Sequence, residues 1–439
     1  MVAAPFPVGL GFEGATYVSS RILDLPYMKG RSLAHEILHS WWGNAVDIAL
    51  DQGNWAEGLT TYQADHRLAA ERSDAAGREM RQEWLRDFAA LPESRRQALT
   101  AFTSKLHDAA QVTGYNKAAL VFHMLRQRLS DSAFQDGLSR FYEARKFQVG
   151  SWADLRAAFE AASGQALGGV FDQWLTRAGA PALSLDKADR IKTGEDRWQV
   201  EIALSQSEPL YDLQVPVEID TATGPKRVII RLDDAKATRE VALRAQPTGV
   251  RVDPDYDLFR ALPTSQVPLV MRALTLNPET RLVVAGMESA TAEGFADRLL
   301  DTEVSTLTPD QAADATAPLL VVGASADVEG VMQQAGFGGP PEEVAGKGDL
   351  RAWTAEAGGR IALAVAADAP DRLLRTARVL PYYLRASWLV MQGGQLQARG
   401  TWPTGTNPLS RKFGVLAFAA AGACGSRPTA CRAACGFRP

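Results

Sequence analysis

His35 and His39 stand four residues apart in Leu33-Ala34-His35-Glu36-Ile37-Leu38-His39. On an α-helix that spacing is about 6 Å of rise and ~40° of rotation, so the two imidazoles share one face. Two nitrogens so placed can grip a single Zn²⁺ at about 2.0–2.1 Å. Glu36 follows the first histidine and can reach a metal-bound water without being a ligand, which is the base position of His-Glu-x-x-His hydrolases. A catalytic zinc needs three protein ligands and one open position. Glu57, in Trp55-Ala56-Glu57-Gly58, is the candidate third ligand. It competes with another use of the same carboxylate, as the third helical residue of a capping box begun by Asn54.

These residues need packed elements to hold them. Apolar Leu33, Ile37, Leu38, Trp41 and Trp42 surround the motif, and the spacing predicts a helix over 31–44. Helices are expected at 54–72, 116–129, 132–146, 151–163 and 169–178. From 181 to about 262 the period changes to alternation, as in Trp198, Val200, Ile202 and Leu204, which reads as a small β-sandwich. Apolar strands at 281–285, 319–323 and 360–366 then alternate with helices, ending in a hairpin at 387–397 that turns at Gly393-Gly394. The expected fold is thus multidomain. A mainly α catalytic domain (1–182) is followed by a β-sandwich (183–262), an α/β domain (263–406) and an unstructured tail (407–439).

The motifs resemble the gluzincin zinc metallopeptidases of the aminopeptidase N family. Trp41-Trp42-Gly43-Asn44 directly after the second histidine, and Glu57-Gly58 opening the next helix, are family habits. Between His39 and Glu57 lie 17 residues (Ser40–Ala56), one fewer than is usual there. The loss falls in a connecting loop, where deletion is tolerated. The resemblance implies a thermolysin-like helical domain, one Zn²⁺ per chain, and removal of N-terminal residues from peptide substrates. It implies metal ligands His35, His39 and Glu57, with Glu36 as general base. Tyr115, in Gly114-Tyr115-Asn116-Lys117-Ala118, matches the tyrosine and lysine of the family's Tyr-Glu-Lys-Gly and would donate its hydroxyl to the oxyanion. Glu13, in Leu10-Gly11-Phe12-Glu13-Gly14, aligns with the glutamate of Gly-x-Met-Glu-Asn, which binds the substrate's α-ammonium group. Family members carry a β-domain ahead of that strand, so the chain reads as the C-terminal portion of a longer protein or as a shortened gene model.

Among the other candidates, Asp65 lies eight residues beyond Glu57 and shares its helix face to within ~80°, so it could orient a ligand histidine. His107 could line the cleft, and His66 and His123 read as structural. The 47 Lys and Arg against 51 Asp and Glu give a formal charge of −4, with no basic stripe for nucleic acid. No apolar run approaches the ~20 residues of a membrane span, and the first residues have no secretory-signal pattern. All three cysteines lie at 424–435, so no disulfide or thiolate site can hold the body together. The alternatives are an endopeptidase or epoxide hydrolase on the same scaffold, or a non-catalytic binding protein that keeps zinc as structure, closed by a fourth protein ligand.

Overall fold

A computed structural model describes residues 2–4, 10–12, 14–20, 33–104, 108–300, 302–377 and 379–414. Glu13, His107 and the cysteines lie outside the described residues.

Helices dominate to residue 176. Leu33–Leu38 is followed by a continuous helical rod formed by Ala56–Thr60, Thr61–His66 and Arg67–Arg72, and then by Asp74–Ala90. A second rod joins Asp108–Gln111, Val112–Lys117 and Ala118–Leu129. In each rod the middle segment is π-helical, a wider turn that inserts residues without breaking the helix. Asp131–Arg145, Trp152–Ser163 and Gly168–Thr176 complete the domain. Ser151 opens its helix with a full capping box closed by Asp154. The first helix stops at Leu38, short of the expected 44. The chain turns there because Gly43 takes φ +103° and the Asn44 amide donates to the His39 carbonyl at 2.7 Å. His39 N still bonds His35 O at 3.2 Å, so the helical relation of the two histidines survives.

Two antiparallel sheets follow. One has Leu183–Gly194, Arg197–Gln206 and Lys236–Leu243, and the other has Leu213–Thr221, Lys226–Leu232, Pro247–Val252 and Ser410–Lys412. Trp198, Val200, Ile202 and Leu204 are all buried, and their apolar cluster runs without a break into the helical part. The expected unstructured tail does not begin at 407. Ser410–Lys412 pairs antiparallel with Pro247–Val252, and Leu409 is buried, its carbonyl accepting from Val252 N. A single apolar residue followed by three polar ones has no visible strand period, and it pairs only because a sheet edge is waiting.

The last unit is a seven-stranded mixed sheet. Ser305–Leu307, Arg281–Ala285, Leu319–Ala324 and Arg360–Ala367 are parallel neighbours. Leu350–Ala357, Trp388–Gln392 and Gln395–Gly400 extend it antiparallel. Leu320 and Val322 face one apolar cluster while Leu319 and Val321 face another, which is why that strand is apolar at every position. No helix among the described residues is long and apolar enough to cross a membrane.

Candidate metal centre

The short first helix and the first rod bring three side chains to a point. His35 Nε2 lies 3.1 Å from His39 Nε2 and 3.4 Å from Glu57 Oε2, and His39 Nε2 lies 3.2 Å from that same oxygen. Ligands at about 2.0–2.1 Å from a tetrahedral zinc are separated by about 3.3 Å, so this triangle has the right size for one ion. Among the described residues the group has only these three members, and their side chains are 11–20% exposed.

The outer nitrogens are held as ligand histidines require. His35 Nδ1 lies 3.2 Å from Asp65 Oδ2, and His39 Nδ1 lies 2.9 Å from the Trp42 carbonyl. A carboxylate or carbonyl at Nδ1 fixes the proton there and leaves the Nε2 lone pair for a metal. This gives Trp42-Gly43-Asn44 a physical role. The Gly43 turn presents the Trp42 carbonyl back to His39, while the Trp42 indole packs on Trp55, Phe141 and Tyr142 and donates to Gln63 Oε1 at 2.7 Å. Trp41 departs from the expected packing, since it is 46% exposed.

The competition over Glu57 resolves between two residues. Asn54 Oδ1 accepts from Ala56 N at 3.0 Å and Glu57 N at 3.4 Å, so it caps the helix alone. The Glu57 carboxylate is left to the histidines. Asp65 reaches His35 because the wide turn at Thr61–His66 advances fewer degrees per residue and brings Asp65 round toward the Glu57 face.

Tyr115 comes from the π turn of the second rod, its ring parallel to His35 with centroids 6.1 Å apart, and it lies near enough to Glu57 for that carboxylate to join burial in raising its phenol pKa. The two rods meet at Gly58. A Cβ there would overlap the Ala118 Cβ and sit 3.1 Å from the Ala118 carbonyl carbon. Only glycine lets the backbones approach closely enough to place Glu57 and Tyr115 in one cleft.

The electrostatics are those of an anionic pocket around two imidazoles. Burial opposes charge on His35, yet the Asp65 and Glu57 carboxylates outweigh it and lift its pKa to about 10. Burial works to raise Glu57 as well, but the bonds to His35 and His39 win and hold it well below the usual carboxylate range. Glu36 is pushed up by burial, opposed by the two histidines and helped by Glu57 and Asp65. Burial, and then the Glu57 charge, push the Tyr115 phenol up, so at neutral pH it is a proton-bearing donor. Three carboxylates about two imidazoles, with both Nε2 atoms and Glu57 Oε2 converging, form a donor set suited to a divalent cation.

His66 and His123 belong to a separate cluster. His66 Nε2 meets Arg81 Nη1 at 2.7 Å, and His123 Nε2 meets Asp257 Oδ1 at 2.8 Å, all of them buried.

Residues 30–174 match the family model described as the Peptidase family M1 domain. Over 241 residues the chain is 24% identical to glutamyl aminopeptidase of Bos taurus, covering 51% of this chain and 24% of that protein. Aminopeptidase N of Lactococcus lactis is 26% identical over 174 residues, covering 36% of this chain and 19% of that protein. Among solved structures, aminopeptidase A of Legionella pneumophila in complex with aspartic acid aligns with 56% of this chain and 28% of its own at 18% identity and a TM-score of 0.39. The chain spans about a quarter of the length of the bovine relative.

Proposed function

For a chain that carries a domain of peptidase family M1, we propose zinc-dependent hydrolysis of peptide bonds, with removal of N-terminal residues as the mode of cleavage. One observation carries the reading. His35 Nε2, His39 Nε2 and Glu57 Oε2 converge at 3.1–3.4 Å while both outer imidazole nitrogens are already taken. His35, His39 and Glu57 would hold one zinc, which supplies Lewis-acid polarisation of the scissile carbonyl and a water acidified toward neutral pH.

The remaining steps belong to this chain's own groups. Glu36 is adjacent to His35 and feels both histidines and Glu57, so it borders the same cleft. It takes the proton of the attacking water and passes it to the leaving amine. Burial and neighbouring carboxylates raise its pKa, which makes it a better base than a solvated glutamate. The Tyr115 hydroxyl donates to the oxygen that becomes negative as the carbonyl turns tetrahedral. Asp65 and the Trp42 carbonyl keep the two imidazoles in one tautomer and one orientation. Three protein ligands rather than four among the described residues support a catalytic rather than a structural zinc.

The aminopeptidase mode rests on the names of the relatives and on Glu13, which would anchor the free α-ammonium group. Free and N-acetylated forms of one peptide test it. Free peptides are expected to be cut at the first bond and acetylated ones poorly. Equal cleavage of both would leave an endopeptidase and remove the role of Glu13.

A further inference from the structure

The α/β domain reaches the helical domain through two arginines, Arg272, which touches the start of the segment that carries Tyr115, and Arg385, which ends on the neighbouring helix Asp74–Ala90. The short helix Met271–Thr275 and the turn at 384–386 are tied together, since Met271 N bonds Ala386 O at 2.9 Å and Arg272 N bonds Leu384 O at 2.8 Å. This sets Arg272 and Arg385 side by side. Arg385 grips Asp87 through Nε at 3.1 Å and Nη2 at 2.7 Å, and Glu83 through Nη1 at 3.0 Å. Arg272 Nη1 lies 3.6 Å from Asp87 Oδ2, and its Nη2 donates to the Asp108 carbonyl at 3.4 Å. Asp87 is 2% exposed, and its Oδ2 also accepts from Asn116 Nδ2 at 2.9 Å.

Asn116 is the neighbour of Tyr115 inside the π turn, and Asp108 begins the helix that leads into that turn. The two arginines therefore hold both ends of the Asp108–Lys117 stretch, one directly and one through Asp87. A π turn is a rare insertion in a helix, and here side-chain contacts reach it from outside its own rod. The residue at 116 fits this arrangement. Glutamate, the residue of the Tyr-Glu-Lys-Gly pattern, would set a second carboxylate against buried Asp87. Asparagine instead offers an N–H donor.

We propose that Arg385 and Arg272 of the α/β domain are positioning residues for Tyr115, acting through Asp87 and Asn116. The α/β domain then takes part in assembling the active site. The proposal rests on the peptidase reading only for the use to which Tyr115 is put, and its test does not require turnover.

The test is hydrogen exchange by mass spectrometry on the full chain, with zinc content measured alongside. In Arg385→Gln, amides of 112–117 are expected to exchange about tenfold faster, while those of 118–129 and the zinc content stay unchanged. Asn116→Ala, which removes the last link without stranding a charge, should give a smaller rise confined to the same amides. Arg385→Lys keeps the charge, loses the two-point grip and should fall between; it also serves if the glutamine variant does not fold. Unchanged exchange at 112–117 in these variants would overturn the proposal. So would an equal rise across the whole helical domain, because that would mean general undocking. If the wild type cleaves peptides, Arg385→Gln should lower kcat with KM held. If the wild type cleaves none, the peptidase reading fails and the exchange result still decides this one.

Discussion

At the scale of single residues, the site separates gripping a metal from moving a proton. Glu36→Gln keeps size and shape but cannot act as base, so it should retain zinc and fold while hydrolysis falls at least ~100-fold. Steady-state kinetics with elemental analysis checks this, and full activity would remove Glu36 from the role. Asp65→Asn keeps a hydrogen bond to His35 but loses the carboxylate charge. Zinc affinity should drop by about 10- to 100-fold, read by chelator competition. The sequence made the gripping atoms legible, because helical spacing fixes which face His35 and His39 share. It offered Asp65 as a partner for a ligand histidine only to within ~80° of the Glu57 face, since nothing in Thr61–His66 announces the π turn that brings it closer. It also left the Trp42 carbonyl unseen, because a backbone acceptor has no letter. Glu13 lies outside the described residues, so its role stays a proposal.

At the scale of elements, the cleft depends on how closely two helical rods approach at Gly58 and Ala118. Gly58→Ala should destabilise the fold by about 1–3 kcal/mol, since an added methyl there must push backbone aside. Urea unfolding measures it, and Ala118→Gly in the same chain should recover part of the loss, because the two sites touch. Periodicity found the rods and the central strands, where the burial pattern is strong, as at Trp198–Leu204. It overlooked Asp74–Ala90, whose apolar residues are diluted by many charged ones, although Met80, Trp84, Leu85 and Phe88 are all buried. It also overlooked Leu350–Ala357, because Arg351, Thr354 and Glu356 interrupt the apolar run. Arg351 is nonetheless buried, bonded to the carbonyls of Lys347 and Gly348.

At the scale of the whole molecule, buried charges should make stability depend on pH. Burial first, and then the charges of His123 and Arg81, lower His66 to about 3. An unfolded histidine titrates near 6.5, so between about 3 and 6.5 the unfolded state binds the extra proton. Stability is therefore expected to fall as pH drops through that window. His66→Gln, which can still accept from Arg81, should take about one proton out of the slope. Urea midpoints at a series of pH values test the sign, and a slope unchanged by the substitution would contradict it. Domain joins were the least legible feature, because they rest on partners far apart in sequence. Leu409 is the clearest case, since composition alone placed it in a tail. With Leu409 buried and Ser410–Lys412 paired, deleting 409–439 should lower stability by about 2–4 kcal/mol. An unchanged melting temperature would return the strand to the tail.

If His35, His39 and Glu57 hold one catalytic zinc, anomalous scattering from crystals at the zinc edge will locate it between their three ligand atoms. A single peak is expected about 2.0–2.1 Å from His35 Nε2, His39 Nε2 and Glu57 Oε2, with a water or nothing in the fourth position. The peak should vanish in His39→Ala. A fourth protein ligand on the ion, or no peak between these three atoms in crystals grown with zinc, would contradict it.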